Sequence, residues 1–121
     1  MSVLALEQEL QGMMGQGQMM EAFEKFYAEN VVMVEATGDV REGKDLNRTF
    51  EEQWMSSIKE IHGGGVGAIT ANEETGHTCT ESWIDASFKD GNRMKMEEVS
   101  VKKWEGDQVV HERFYYNVPG Q

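Results

Sequence analysis

KDLNRTFEEQWMSSIKEIHGGG, residues 44–65, is the stretch on which the fold depends. Leu46, Phe50, Trp54, Ile58 and Ile61 recur along it at helical spacing, and the stripe halts at three consecutive glycines. The spacing predicts a long third helix whose apolar face packs on the concave side of a sheet. Upstream, Val3, Leu6, Leu10 and Met13 mark a short first helix, interrupted by Gly15 and Gly17. Met19 or Met20, Phe23, Phe26 and Tyr27 mark a second helix ending near Asn30. There the chain changes to the β-branched run of residues 31–34 and then to the turn Thr37-Gly38-Asp39.

Beyond Gly65 the chain reads as strands, near residues 66–73, 77–88, 94–104 and 109–118. Turn residues divide them, among them Asp90-Gly91-Asn92 and Glu105-Gly106-Asp107, which suit hairpins. With helices first and strands last, the expected class is α+β, with three N-terminal helices covering one face of a curved antiparallel sheet. A chain of 121 residues is expected to form one domain, residues 1–121.

Composition removes several functions. A net charge of -11 without a basic patch argues against a nucleic-acid partner, whose phosphates call for clustered Lys and Arg. No run approaches the ~18 apolar residues of a membrane span, and MSVLALEQEL lacks the positive flank of a signal peptide. The expected location is cytoplasmic, with no membrane partner. Cys79, the sole cysteine, cannot form an internal disulfide or a Cys-based metal cage. His62, His77 and His111 fall on separate elements without ligand spacing, so no metal is expected. GGGVGA, residues 63–68, matches a dinucleotide fingerprint ending in Ala, but that loop must follow a strand and open a helix. Here the predicted order is reversed. The glycines are read as a flexible helix-to-strand connection, and no cofactor is expected.

Candidate site residues come from alternation along the strands. If VVHERFYYN, residues 109–117, is extended, then Val109, His111, Arg113, Tyr115 and Asn117 share one face. Such a face is a solvated surface, a dimer interface or the wall of a site. Glu81 and Asp85 share a face with His77, Cys79 and Trp83, while Glu98 shares one with Met94, Met96 and Ser100. Alternation sends Glu97 and Glu98 to opposite sides, which leaves one of them to be buried near Arg113. Glu51-Glu52 and Glu73-Glu74 read as solvated pairs. Tyr27, Trp54 and Trp83 are core or pocket lining, and nine methionines suit either a loosely fitted apolar cavity or ordinary core filling.

Three stretches carry a resemblance: EAFEKFYAENVVMVEATG from residue 21, REGKD from residue 41 and WEGDQVVHERFYYN from residue 104. They resemble the SnoaL-like branch of the nuclear transport factor 2 and ketosteroid isomerase superfamily. That resemblance implies a cone-shaped, cystatin-like fold with an apolar pocket, and a homodimer. It also implies activities such as ketosteroid isomerisation, polyketide cyclisation or epoxide hydrolysis, alongside non-catalytic members. In many such sequences the last strand runs from Gly to an Arg, then an aromatic, then an Asp directed into the pocket. The matching positions here are Gly106, Arg113, Tyr115 and Asn117. An amide at 117 cannot act as a general base near neutral pH. The resemblance therefore leaves two readings, of which the first is the expected one and the second its alternative. One is a binding protein holding a small apolar or carbonyl-containing ligand against Tyr27, Trp54, Trp83, His111, Arg113, Tyr115 and Asn117. The other is an isomerase or cyclase using a pocket carboxylate, with Glu81, Asp85 and Glu98 as the candidates.

Overall fold

The computed structural model describes residues 2–118; the expected domain ends at 1 and 121 lie outside them. Three helices come early, α1 (Val3–Gly15), α2 (Met19–Phe26) and α3 (Lys44–Ser57). Six strands form one curved, mixed sheet: β1 (Tyr27–Val34), β2 (Val40–Glu42), β3 (Ile58–Asn72), β4 (His77–Phe88), β5 (Arg93–Glu105) and β6 (Gln108–Tyr115). Their spatial order is β2-β1-β6-β5-β4-β3. Every neighbouring pair is antiparallel except β1 with β6, which is parallel. The α+β class and the helix-covered curved sheet are as expected; the parallel pair corrects the expectation of a purely antiparallel sheet. It arises because the last strand closes against the first, a long-range pairing with no local signature.

Helix α1 is started by the Ser2 hydroxyl, which accepts from the Ala5 amide. The Glu73 carboxylate, reaching over from the turn after β3, accepts from the Val3 and Leu4 amides at 2.9 and 3.2 Å. A carboxylate there satisfies orphan donors and complements the helix dipole. Leu6 and Leu10 of α1 pack with Ala22, Phe23 and Phe26 of α2, and with Tyr27, Val31, Met33, Trp104 and Val109 of the sheet. Phe23 stacks on Tyr27 at 4.8 Å between ring centroids, and Phe26 meets Trp104 edge-on at 5.8 Å.

Two boundaries differ from the sequence expectation. Helix α2 ends at Phe26, because Tyr27 already pairs with Val109 of β6. Helix α3 ends at Ser57, and Ile58 and Ile61 belong to β3, which pairs with β4 from Ile58 to Asn72. The expected stripe is consequently cut short. Leu46 is 53% exposed and Phe50 36%, while Lys44 and Asn47 take the buried positions of α3. The glycine run is not a connection either. Gly63 and Gly65 lie within β3 under the Trp83 indole, where a Cβ on Gly65 would come 2.9 Å from the ring nitrogen. Glycine is used there for close approach of a side chain to the backbone.

Candidate functional site

Register settles which residues face the helices. Opposite one another across β4, β5 and β6 lie Thr78 and Lys102, Thr80 and Ser100, Ser82 and Glu98, then Lys102 and Glu112, and Ser100 and Phe114. These residues share the helix-covered face. Between them, Glu81, Val99 and Tyr115 share the outer face, as do Cys79, Val101 and Arg113.

The helix-covered face holds a charged network where an apolar core would be the ordinary solution. Glu7 of α1 has no exposed surface, and Lys102 and Glu112 are 2% and 3% exposed. The Lys102 ammonium donates to Glu7 Oε2 and to Ser100 Oγ, each at 3.0 Å, and lies 3.4 Å from Glu112 Oε2. Glu7 also accepts from Thr78 at 2.9 Å, and from Thr80 and Gln11 at 2.8 Å. Glu112 accepts from the Tyr27 and Ser100 hydroxyls. The Trp104 indole donates to Thr78 at 2.9 Å, completing a polar chain through α1, β4, β5, β6 and β1.

Protonation follows from these neighbours. Burial alone would raise the Glu7 carboxyl, but the Lys102 charge and the donated hydrogen bonds outweigh it and hold the group below the usual carboxylate range. Burial would lower Lys102; Glu112 and Glu7 reverse that and raise it. Tyr27 is pushed well above the ordinary phenol value by burial and by the Glu112 charge.

Two further carboxyls lie beside the network, and both are half-buried. Glu51 of α3 is raised to about 7 by burial and by Glu112, with Glu35 and Glu98 adding and Arg41 opposing. Glu98 of β5 is raised to about 7 by burial and by Glu112, with Glu35 adding and Lys102 opposing. Among the described residues neither carboxyl receives a hydrogen bond, whereas neighbouring Glu35 accepts from Arg41 at 2.8 Å and from Tyr116 at 2.9 Å. Arg41 is further fixed by Asn47 at 3.0 Å and lies 3.5 Å over the Phe50 ring. Carboxyls with pKa values near 7 are divided between acid and base at neutral pH, the condition under which such a group both takes and returns a proton.

The residues singled out from sequence divide between the two faces. Tyr27 and Glu98 are on the helix-covered face, and Trp54 is half-buried on α3. Glu81, Trp83, Asp85, His111, Arg113 and Tyr115 take the other face. Asp85 there is paired through both its oxygens with Arg93 at 3.1 Å. Lys95 lies 5.0 Å from the Trp83 ring, and Arg113 lies 5.2 Å from the Tyr115 ring. Asn117 is exposed and falls beyond the end of β6. The four-residue wall His111, Arg113, Tyr115 and Asn117 thus does not face the buried network, because Glu112 and Phe114 take the inward positions of β6. Glu81, Glu98 and Tyr115 do line, with Glu97 and Val99, a shallow hollow of about 170 Å³ beside the end of β6. Of Glu97 and Glu98 it is Glu98 that turns inward, and its cation is Lys102 instead of Arg113.

Sequence reasoning passed over Glu7, Lys102 and Glu112, named Ser100 only as a neighbour of Glu98, and read Glu51 as solvated, which its half-buried place on α3 corrects. The available signal was the alternation Glu98, Ser100, Lys102, Trp104 against Val99, Val101, Lys103, in which the polar set ends in a tryptophan that must be buried. Among the described residues no three His, Cys, Asp or Glu side chains are grouped to hold a metal, and no helix is long and apolar enough to cross a membrane.

This architecture is that of a known family. The profile of the SnoaL-like domain matches residues 2–116, and the chain belongs to that family. No curated protein matches it. Among solved structures, a Mesorhizobium loti protein provisionally assigned as a SnoaL-like polyketide cyclase is 28% identical. The match covers 96% of this chain and all of that one, with a TM-score of 0.83. An uncharacterised cystatin-fold protein from Novosphingobium aromaticivorans is 17% identical, over 95% of this chain and 98% of that one, with a TM-score of 0.77. A hypothetical protein with a ketosteroid isomerase-like fold from Catenulispora acidiphila, in complex with trimethylamine, is 14% identical over 80% of this chain and 74% of that one, with a TM-score of 0.67.

Proposed function

We propose that this protein handles a small carbonyl-containing molecule at the helix-covered face of its sheet and performs acid–base chemistry next to the carbonyl, as an isomerase or cyclase does. The observation that supports this most is the pair Glu51 and Glu98, half-buried beside Glu112 and receiving no hydrogen bond among the described residues. Glu35, half-buried like them, is paired with Arg41 and Tyr116, whereas these two are not. Glu98 has Lys102 as its counter-charge and is assigned the base, taking the proton from carbon. Glu51 feels three carboxylates against Arg41 alone and is assigned the acid, donating to the carbonyl oxygen as the enolate charge develops. The binding-only reading leaned on Asn117 as a replaced base. With that residue exposed beyond β6, an amide there bears little on chemistry at the other face.

The test is isomerisation of a β,γ-unsaturated ketosteroid, together with deuterium uptake at the carbon next to the carbonyl in heavy water. Wild type exchanges with a pH profile turning near 7; Glu98→Gln loses about 10²- to 10⁴-fold; Asp85→Asn and Asn117→Ala retain the wild-type rate. Full activity in Glu98→Gln, or its loss in Asp85→Asn, overturns the assignment.

The outer face is proposed as a homodimer contact. Trp83, Val99 and Tyr115 are 39%, 37% and 51% exposed on it, and a stable interface of about 1,200–2,000 Å² in total would draw on them.

A further inference from the structure

The arginines of this acidic chain are not treated alike. Arg41, Arg48 and Arg93 each bond a carboxylate, at 2.8, 2.7 and 3.1 Å. Arg113 bonds none among the described residues, although acidic side chains outnumber basic ones 22 to 11, and its Nε is closed to solvent without a partner. A guanidinium left so marks a contact that one copy of the chain does not complete. Strand register shows where the missing carboxylates are. At one end of the outer face His77, Lys103 and His111 lie side by side across β4, β5 and β6, and Arg113 follows in the next row with Cys79 and Val101. Lys103, tied to the Thr75 carbonyl, holds its charge at that end. The rows after these are Glu81, Val99 and Tyr115, then Trp83 and Glu97. Beyond them Asp85 is already paired with Arg93, and Lys95 lies against the Trp83 ring. Glu81 and Glu97 enter no ion pair among the described residues, and the hollow of about 170 Å³ opens between them beside Val99 and Tyr115. That is below the roughly 300–1,000 Å³ of a small-molecule pocket and suits one long side chain.

We propose that the hollow receives the Arg113 side chain of a second copy, the two outer faces stacking with their strands antiparallel about a two-fold axis. The proposal rests on the homodimer reading of that face and adds its orientation and the residues that fix it. An axis running across the strands, between the Arg113 row and the Tyr115 row, reverses the order of the rows and keeps each strand over its own counterpart. Arg113 then stands over Tyr115 of the partner subunit, with Glu97 of the partner subunit one strand away, and the basic row at the end of the face meets the Trp83 and Glu97 row. The symmetry makes each contact twice. Stacking with the strands parallel would instead lay cations on cations, Lys103 against its own copy, and leave Arg113 over an apolar row. Like charges brought together in this way count against the wrong orientation more than they add affinity to the right one.

The experiment is sedimentation equilibrium of wild type, Arg113→Glu, Glu81→Lys/Glu97→Lys, and an equimolar mixture of these two variants. Each variant alone sets like charges over the hollow, and its dimer dissociation constant rises by about tenfold or more. In the mixture every cross-copy contact again joins opposite charges, so a heterodimer forms within about threefold of the wild-type constant. That recovery also shows both variants to be folded. Arg113→Gln, a milder change, weakens the dimer less than Arg113→Glu and keeps the test available if charge reversal prevents folding. A wild-type dimer that Arg113→Glu and Arg113→Gln leave as tight, while Val99→Asp/Tyr115→Glu separates it, overturns the proposal and leaves the homodimer reading standing. Folded variants that do not recover on mixing overturn the orientation. A wild type that stays at 13.7 kDa at every concentration overturns both readings.

Discussion

Replacing Glu7 by alanine should be among the most damaging single changes in the chain. The carboxylate has no exposed surface and accepts from Thr78, Thr80, Gln11 and Lys102. Truncation strands two buried hydroxyls, each worth about 1–3 kcal/mol when unpaired, and removes one of the two carboxylates facing a buried ammonium. Breaking a buried ion pair from one side costs about 3–5 kcal/mol. Glu112 still faces Lys102 and the terms overlap, so the total stays near 3–5 kcal/mol and not their sum. Against a whole-domain stability of about 5–15 kcal/mol, that lowers the melting temperature by on the order of 10–20 °C. Glu7→Gln keeps the volume and one acceptor, and loses about 1–3 kcal/mol.

The pH dependence of that loss is a sharper check. The Glu7 carboxyl is held below its ordinary value of 4.5 in the folded chain. Its contribution is complete above the unfolded-state value and is lost as pH falls through the folded one. The gap between wild type and Glu7→Gln, measured by urea unfolding, should therefore be full at pH 7 and close progressively as pH drops below about 4.5. A Glu7→Ala cost under about 1 kcal/mol, or a Glu7→Gln gap that does not change with acid, would refute the buried-network account.

Glu51 and Glu98 carry the opposite sign. Their folded values near 7 lie above the unfolded value of 4.5, so stability is greatest below 4.5, falls as pH rises to 7 and is flat beyond. Glu51→Gln/Glu98→Gln should remove that fall, which partial solvent access limits to about 1–2 kcal/mol per carboxyl; melting scans from pH 5 to 8 read it. Gly76 has φ +77° and a Cβ there would come 2.8 Å from the Trp104 carbonyl oxygen, so Gly76→Ala should cost about 1–3 kcal/mol in a thermal melt. Gly38, with φ +93° but open space around it, should cost about 1 kcal/mol. Light scattering should return a dimer for wild type, and Val99→Asp/Tyr115→Glu should return the 13.7 kDa monomer.

The order of helices and strands, and hence the fold class, was legible because Leu6, Leu10, Phe23 and Phe26 keep helical spacing and do pack together. The end of α3 was not. Ile58 and Ile61 continue the 3.6-residue period and yet pair with Phe88 and Ala86 across β4, a tertiary choice that local propensity cannot reveal. Site residues were misread for a related reason. Alternation gives two faces per strand but not which is inside, and the usual guide, polar outward, is inverted along Glu98, Ser100 and Lys102. Glu7 was invisible in the same way, lying beside Leu6 in a helix whose other buried residues are apolar. Only register against four other elements shows that these charges meet.

Chemical-shift mapping of a bound carbonyl compound tests the central claim, that the helix-covered face is the working face. A cyclic enone titrated into labelled protein should move the signals of Glu51, Glu98, Tyr27 and Phe114 together, along one binding curve, and leave those of Trp83, His111, Arg113 and Asn117 in place. Movement confined to the second set would put the ligand on the outer face and contradict the account.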